Sequence, residues 1–319
     1  MQYWQKRRAY RRMPRMRAVP RGAKETMLSC IVGYKAGMTS AIVAEEAQKG
    51  SDTSRACTVI EVPATEVYGI RLYAKDQVTG YLKVVSELYD KATAARAGIK
   101  KIAPDRERVD AAKQEMGKYS NVSLLMAVHP KGTATSQHHA DRFEAQVIGK
   151  NVSEKFEYAA KLIGKEVKPS DIFKNGEHID ILSISKGKGW AGVIKRFGVA
   201  RLPHKSTQKV RHVGTLGAFG MGRVLPSVPQ AGQLGFNYRT EHNKRILKIG
   251  KKEEVQNVNP KQGFINYGNI TSDYIIIDGS LPGPAKRLVR VRKSIDNRDS
   301  KSGIKEPKIS YIATTGKAI

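Results

Sequence analysis

The sequence predicts a mainly β protein with an α/β insert and long basic extensions. Alternating apolar and polar runs, which are typical of strands, occupy residues 28–75 and return from residue 178 to the end. Between them, residues 76–177 combine helical periods with a strand run. The 319 residues, 40% of them hydrophobic, are enough for a substantial core, and the net charge of +28 indicates basic segments outside it.

The first 27 residues predict an extended basic arm. They hold nine Lys or Arg against one acid, Glu25, are interrupted by Pro14 and Pro20, and have no apolar period. Such a segment cannot build a core, so a binding partner has to offset the entropy that is lost when it becomes ordered. We therefore expect residues 1–27 to be mobile in the free chain.

Two strand-forming stretches follow the arm. MLSCIVGYKAGMTSAIV from Met27 predicts strand runs around a turn from Gly33 to Gly37, and TVIEVPATEVYGIRLYA predicts two more runs separated by Pro63. The two cysteines of the chain stand in these apolar runs without a Cys-x-x-Cys pair. This spacing favours buried core thiols over a zinc or redox site.

The next segment, residues 76–177, predicts an α/β insert. SELYDKATAARAGIKK and PDRERVDAAKQEMGK have helical periods, VSLLMAVHP is typical of a buried strand, and NVSEKFEYAAKLIGKEV predicts an amphipathic helix that ends near Gly164. His138 and His139 adjoin, but neighbouring side chains diverge, so we expect no metal site there.

Strand character returns after the insert. HIDILSI from His178, SDYIIIDGS with a turn at Gly279, PGPAKRLVRVRK and KISYIAT all predict strands. We expect them to join the first strands in one discontinuous β domain, formed by residues 28–75 and 178–319.

A basic, glycine-rich central region, residues 185–252, interrupts these strands. It holds fifteen Lys or Arg and eleven Gly against one carboxylate, Glu241, whereas residues 40–184 hold twenty-one Lys or Arg against twenty Asp or Glu. Lys and Arg neutralise phosphates, glycines let a backbone approach closely, and aromatic rings such as Trp190 stack on bases. The region predicts an RNA-binding extension rather than a solvated loop, because disordered loops rarely carry so many aromatic residues.

Other function classes find little support in the sequence. Gly187, Gly189 and Gly192 match Gly-x-Gly-x-x-Gly, but Gly198 and Pro203 interrupt the helix that dinucleotide binding requires. No phosphate-binding loop or catalytic triad signature occurs, so we expect neither catalysis nor a cofactor. No apolar run approaches the length of about 18 residues that a membrane span needs.

Five motifs in order along the chain resemble the large-ribosomal-subunit protein three family, in its archaeal and eukaryotic branch. They are GYKAGMT (33–39), SKGKGWAGVIKRFG (185–198), LGA before Phe219, VPQAGQLGFNYRTEHNKRI (228–246) and GSLPGPAKRLVRVR (279–292). A C-terminal end shorter than that of eukaryotic members suits an archaeal member.

The resemblance implies a six-stranded β-barrel of the translation-protein type, interrupted by the α/β insert and bearing two extensions that penetrate ribosomal RNA. It implies a structural protein of the cytoplasmic ribosome that binds large-subunit rRNA near its 3′ end early in assembly and directs its central extension towards the peptidyl transferase centre. Neighbouring large-subunit proteins, by family expectation proteins fourteen and twenty-four-e, are the other implied partners, and neither a membrane nor a small-molecule substrate is implied.

The basic segments and the family's motifs together predict an RNA-binding set that is mostly cationic. The part of it in SKGKGWAGVIKRFG would line an RNA groove, and residues 217–223 would form the tip of the extension. The whole predicted set is Arg7, Arg8, Arg11, Arg12, Lys186, Lys188, Trp190, Lys195, Arg196, Lys205, Lys209, Arg211, Phe219, Arg223, Arg239, Lys244, Arg245, Lys286 and Arg287.

The tip departs from the family's pattern. Relatives usually have Trp with a nearby Pro where this chain has Phe219 followed by Gly220, Met221 and Gly222. Stacking at the tip should therefore be weaker and the loop looser.

Two further function classes are alternatives. An RNA-modifying enzyme with a basic docking arm would need a cofactor loop with correctly placed acids, and a translation factor that shares the barrel would need a nucleotide-binding domain. Neither feature is visible in the sequence.

Overall fold

The structure is a computed structural model of the chain and describes residues 7–20, 25–44, 52–99, 116–206, 209–218, 220, 222–296 and 303–314. The chain divides into two compact units. The arm unit combines Met1–Arg12 with Ile184–Arg239, and the sheet unit combines Met13–Ser183 with Thr240–Ile319. The start of the N-terminal arm and most of the basic central region thus form one unit, although they are far apart in sequence.

A curled antiparallel sheet forms the first part of the sheet unit, and the ends of two of its strands continue into the arm unit. Its strands are β2 (Cys30–Ala44), β3 (Asp52–Val62), β9 (His178–Ile184), β12 (Tyr238–Gly250), β13 (Asp273–Asp278), β14 (Leu288–Lys293) and β15 (Lys308–Ile312). The strand order is β14-β9-β12-β13-β3-β2-β15, and β14 also pairs with β2. Six strands therefore form a closed cycle of pairings, and the prediction of a mainly β protein is confirmed.

A second antiparallel sheet, in the order β1-β7-β6-β4-β5 with β8 beside β4, forms the rest of the sheet unit. Its strands are β1 (Met27–Leu28), β4 (Thr65–Lys75), β5 (Leu82–Tyr89), β6 (Asn121–Val128), β7 (Asp141–Ile148) and β8 (Glu166–Val167). The helices among the unit's described residues are α1 (Lys91–Arg96), α2 (Val152–Leu162) and α3 (Pro169–Ile172), with 3-10 turns at Met116–Lys118 and Lys252–Asn257.

Both sheets share one apolar core. Its largest fully buried side chains include Ile60 and Tyr274 of the first sheet, Leu124 of the second, and Phe156 of α2. The 3.6-residue period of α2 places Phe156 and Ala159 on the same buried face. The predicted strand from Val122 and the predicted helix from Asn151 therefore occur where the sequence periodicity places them.

Two parts of the second sheet differ from the expectation. Strand β4, expected in the same β domain as β2 and β3, pairs with β5, β6 and β8 of the second sheet. Residues 86–89, expected to be helical, complete strand β5, and the helix begins only after Asp90, whose carboxylate accepts a hydrogen bond from Thr93 N at 3.0 Å. Most of the second predicted helix, residues 104–118, lies outside the described residues.

Strand β2 also differs, because it is one long strand where a turn was expected. A register shift between Lys35 and Gly37 marks a bulge, but the strand continues through it. A Cβ on Gly33 would lie 2.6 Å from Glu61 O, and one on Gly37 would lie 2.6 Å from the Phe264 ring. These glycines therefore permit close packing rather than a turn.

Two buried arginines on β14 hold part of the N-terminal arm. Arg292 pairs with the buried Asp180 at 2.9 Å and donates to Ala18 O at 2.7 Å, while Arg290 donates to Pro14 O at 3.3 Å. Arg290 also donates to Cys30 Sγ at 3.2 Å. Carbonyl groups of the arm thus accept further hydrogen bonds from these two guanidinium groups, in addition to Asp180 and Cys30 Sγ, and so help to satisfy the partners that buried charges require.

Both cysteines lie in the core, as the sequence predicts. Cys30 and Cys57 are free thiols and are fully buried. Burial, with a smaller contribution from the Asp278 carboxylate, raises the pKa of Cys57 to about 12. The Cys57 thiol is therefore protonated and unreactive at neutral pH, because the thiolate is the nucleophile.

Another buried carboxylate, Glu61 on β3, joins β3 to the loop before β13. It is fully buried and accepts hydrogen bonds from Thr271 N at 2.8 Å, from Ser272 N at 2.9 Å and from the Tyr267 hydroxyl. Burial and the neighbouring Glu61 charge raise the pKa of Tyr267, so its phenol stays protonated and donates.

Replacing Glu61 by Ala is expected to lower the free energy of unfolding by about 3–5 kcal/mol, because several buried donors lose their acceptor together. Thermal or denaturant unfolding of the purified chain, followed by circular dichroism, measures the change. Glu253→Ala is the matched control, because that carboxylate is exposed. If Glu61→Ala lowered the free energy of unfolding no more than the control does, Glu61 would not be the acceptor that stabilises these buried donors.

Candidate nucleic-acid interface

A small two-stranded sheet organises the arm unit. It consists of β10 (Gly187–Ala191) and β11 (Gly232–Gly235), and the short helix α4 (Val193–Phe197) follows β10. Trp190 pairs with Gln233 across the two strands. Gly235 has a φ of +73°, and a Cβ there would collide with the Lys186 carbonyl, so this close approach requires glycine.

Trp190 is the most exposed aromatic residue in this small sheet. Its side chain is 79% exposed, and the neighbouring Lys186 and Lys188 are exposed as well. An exposed indole that follows two exposed lysines in the same stretch of the chain is unfavourable for packing within the chain but suits stacking on a base whose phosphates the lysines neutralise. The structure thus brings together three of the residues that the sequence predicts.

Arg196 differs from its neighbour Lys195, which is exposed. Its guanidinium donates to Gln230 O at 2.7 Å and to Gln233 O at 3.1 Å, and it lies 4.9 Å from the centre of the Phe197 ring. A Cβ on Gly232 would lie 2.8 Å from the same guanidinium. Arg196 therefore holds β11 in place, and its donors are directed at the protein's own backbone.

The first described residues of the N-terminal arm lie along residues 236–238. Ala9 N donates to Phe236 O at 2.7 Å, and the Asn237 amide donates to Arg7 O at 2.8 Å. The Tyr238 hydroxyl accepts from Arg11 N at 3.1 Å and donates to Arg11 O at 3.0 Å. On the arm's side these bonds use backbone atoms of Arg7, Ala9 and Arg11, and the arginine residues themselves are exposed.

The exposed cations of the arm unit come from three stretches of the chain. In addition to the lysines of β10 and α4, they lie in the N-terminal arm, in the long loop between α4 and β11, and on β12. These residues are Arg7, Arg8, Arg11, Arg12, Arg201, Lys205, Lys209, Arg211, Arg223 and Arg239.

Four predicted residues belong to the sheet unit instead. Lys244 pairs with Glu241 at 3.1 Å, and Arg245 donates to Lys305 O at 2.8 Å. Arg287 is half-buried, whereas Lys286 is exposed and has a φ of +64°. These four residues thus belong to the sheet unit, whereas Trp190 belongs to the arm unit.

The predicted tip is only partly described. Phe219 and Met221 lie outside the described residues, while residues 214–218 and 222–225 are exposed. Gly217 and Gly222 have positive φ values of +134° and +62°, which glycine adopts readily.

Sequence reasoning left Tyr10 out of the predicted set. Its ring is 93% exposed, and it stands between Arg8 and Arg11 on the arm, so it offers a second surface for stacking. An aromatic residue interleaved with arginines was the signal that could have identified it.

No group of three or more His, Cys, Asp or Glu side chains that could hold a metal ion occurs in the described part of the chain. No helix among the same residues is long and apolar enough to cross a membrane.

Comparison with known proteins gives consistent matches over nearly the whole chain. The family model described as ribosomal protein L3 matches residues 1–318. A large ribosomal subunit protein uL3 of Methanobrevibacter smithii is 37% identical over 322 residues, covering 98% of this chain and 94% of the relative. Proteins of the same description from Methanothermobacter thermautotrophicus and Methanopyrus kandleri are 36% and 37% identical, covering 98% and 97% of this chain and 94% and 88% of the relatives.

These matches confirm the resemblance that the five motifs indicate. Because the family match spans residues 1–318, the chain belongs to the ribosomal protein L3 family and is a structural constituent of the large ribosomal subunit, not an enzyme.

Proposed function

We propose that this chain is a primary rRNA-binding protein that binds large-subunit rRNA near its 3′ end and nucleates assembly there. One observation carries this proposal. The arm unit contains five Lys or Arg in residues 1–12 and ten in residues 184–239, but no Asp or Glu in either segment. With no internal counter-charge, the repulsion within the unit is relieved by a polyanion.

The arm unit binds RNA by two kinds of contact. Exposed Lys and Arg side chains neutralise phosphates and release counterions, which supplies affinity without sequence preference. The exposed rings of Trp190 and Tyr10 stack on unpaired bases, which positions the RNA. Arg196 and Tyr238 support both kinds of contact indirectly, because they hold the small sheet and the arm in place.

The long loop between α4 and β11 serves as the extension towards the peptidyl transferase centre. Exposed glycines and cations along the loop support this role, because they let a backbone pass close to RNA. Phe219 at its tip acts as a stacking or wedging residue.

The sheet unit anchors this extension. The closed cycle of six strand pairings supports a barrel of the translation-protein type, interrupted by an α/β insert. The sequence predicts a β-barrel domain, formed by residues 28–75 and 178–319, around an insert formed by residues 76–177. In this proposal β4 moves from the barrel to the insert, because it pairs with the strands of the insert. The proposed partners are large-subunit rRNA and large-subunit proteins fourteen and twenty-four-e, in the cytoplasmic ribosome.

The phosphate contacts can be tested by the salt dependence of binding. The affinity of the purified chain for an RNA fragment from the 3′ domain of large-subunit rRNA should fall steeply with salt. Replacing Lys188 and Lys195 together by Ala should reduce the slope of log affinity against log salt by about 1–2, since each phosphate contact contributes about 0.7–0.9. Filter binding at several salt concentrations measures the slope.

The matched control for this test replaces Lys161 and Lys165, two exposed lysines of the charge-balanced insert, by Ala. Its slope should equal that of the unaltered chain. A flat salt dependence for the unaltered chain would exclude the phosphate mechanism, and equal slopes for the two double variants would remove Lys188 and Lys195 from the interface.

The stacking role of Trp190 predicts a different signature. Trp190→Ala should lower affinity for the same RNA by about 5- to 150-fold, the equivalent of about 1–3 kcal/mol, and leave the salt slope unchanged. Trp190→Phe should restore most of the affinity. Ile265→Ala is the control, because Ile265 is an 80% exposed apolar side chain of the sheet unit. Unchanged affinity in Trp190→Ala, with RNA binding otherwise intact, would refute stacking.

A further inference from the structure

An exposed apolar cluster lies on the hairpin formed by β4 and β5. Val78 is 93% exposed and Tyr81 77%, and Leu82, Val84 and Val85 are each about half exposed. Large apolar side chains grouped in this way on a stable sheet usually mark a surface that another molecule covers. The RNA-binding role proposed above makes no use of this cluster.

The cluster follows the free edge of the second sheet. Among the described residues, β5 pairs with β4 on one side and with no strand on the other. The unpaired N–H and C=O groups of an edge strand are a template for one more strand. Proteins commonly protect such an edge with charge, but the one lysine within residues 81–86, Lys83, pairs with Asp76 at 2.6 Å.

The charge of the hairpin does not favour RNA. Residues 75–89 contain two lysines and two acids, in a chain whose net charge is +28. Of the acids, Glu87 is held by Arg71 at 2.7 Å. With no excess of cations to neutralise phosphates, an apolar edge is complementary to an uncharged strand rather than to a polyanion.

The hairpin is also ordered in advance of binding. Asp76 closes its turn: its carboxylate accepts from Thr79 Oγ1 at 2.8 Å and from Val78 N at 3.2 Å, and its carbonyl accepts from Gly80 N at 2.9 Å. The contacts with Lys83 and Thr79 lower the pKa of the Asp76 carboxyl, which keeps it ionised. An edge that is already rigid loses little entropy when a strand is added to it.

We propose that the outer edge of β5 is a protein-docking strand, and that its occupant is an extended segment of a neighbouring large-subunit protein. This segment pairs with the β5 backbone and covers Val78, Tyr81, Leu82 and Val84 with β-branched or aromatic side chains. Strand addition of this kind draws affinity from main-chain hydrogen bonds and specificity from alternate side chains.

Photocrosslinking in assembled subunits tests the identity of the occupant. Benzoylphenylalanine replaces Val84 in one variant and Ile265 in a control, and both chains are incorporated into large subunits that are purified before irradiation. We expect the Val84 position to give one defined ribosomal-protein adduct that survives ribonuclease, with the linked residue in an extended segment. An RNA adduct, an adduct with a second copy of this chain, or no adduct at all would overturn the proposal.

A charge substitution supplies an independent measurement. Val84→Lys should leave the melting temperature of the free chain and its affinity for the 3′-domain RNA unchanged, because Val84 is about half exposed and lies outside the arm unit. Subunits that carry it should contain about tenfold less of the crosslinked protein, because a lysine ammonium would be buried against an apolar strand.

The control for this measurement is Ile265→Lys, which should leave the content of that protein unchanged. Normal content in Val84→Lys subunits would overturn the proposal. Loss of RNA affinity in Val84→Lys would also overturn it, by making the edge an RNA surface. Failure of the unaltered chain to bind RNA would count against the proposed function. The crosslinking result would still decide whether a protein strand occupies the β5 edge.

Discussion

The buried Asp180 carboxylate is the contact on which the base of the extension depends. It accepts two hydrogen bonds from Arg292 of β14, at 2.9 and 3.2 Å, and one from Asn243 N of β12 at 3.1 Å. Strand β9, which carries Asp180, leads the chain into the basic central region, and β12 brings it back. A single buried charge therefore connects the outgoing strand, the returning strand and β14. Loss of Arg292 or Asp180 would leave the other charge buried without its buried counter-charge, which costs about 3–5 kcal/mol in comparable sites.

The same arginines show how a strongly basic chain can fold before it meets RNA. Arg290 and Arg292 are buried and directed at carbonyls of the N-terminal segment, so they contribute to the sheet unit. Arg196 does the same within the arm unit. Arginine suits this role because its planar fork donates to several acceptors at once, whereas Lys195, beside Arg196, stays exposed. Part of the +28 charge thus supports the fold, and the exposed part is available to a polyanion.

Helices and strands whose apolar residues recur at a clear spacing were predictable from the sequence. Features that depend on contacts between distant residues were not. Helix α2 and strand β6 follow directly from the spacing of their apolar residues. The turn expected between Gly33 and Gly37 is absent, because these glycines make room for Glu61 and Phe264, which are distant in sequence. For the site, residue type identified the cations and Trp190. Residue type could not show that Arg196 binds the protein's own backbone while Lys195 stays exposed, because that difference depends on the Gln230 and Gln233 carbonyls.

Exposed apolar side chains occur on both units, and the charges around them decide which class of partner each group fits. Trp190 has Lys186, Lys188 and Lys195 close to it in sequence and no acid in its unit, so an apolar protein segment covering it and these lysines would bury unpaired ammonium groups at high cost. Val84 lies on a hairpin with balanced charge, so RNA approaching it would find no excess cation to offset its phosphates. The two surfaces are therefore not interchangeable. On the two proposals, the arm unit serves RNA, and the outer edge of β5, which pairs with no strand among the described residues, serves a protein.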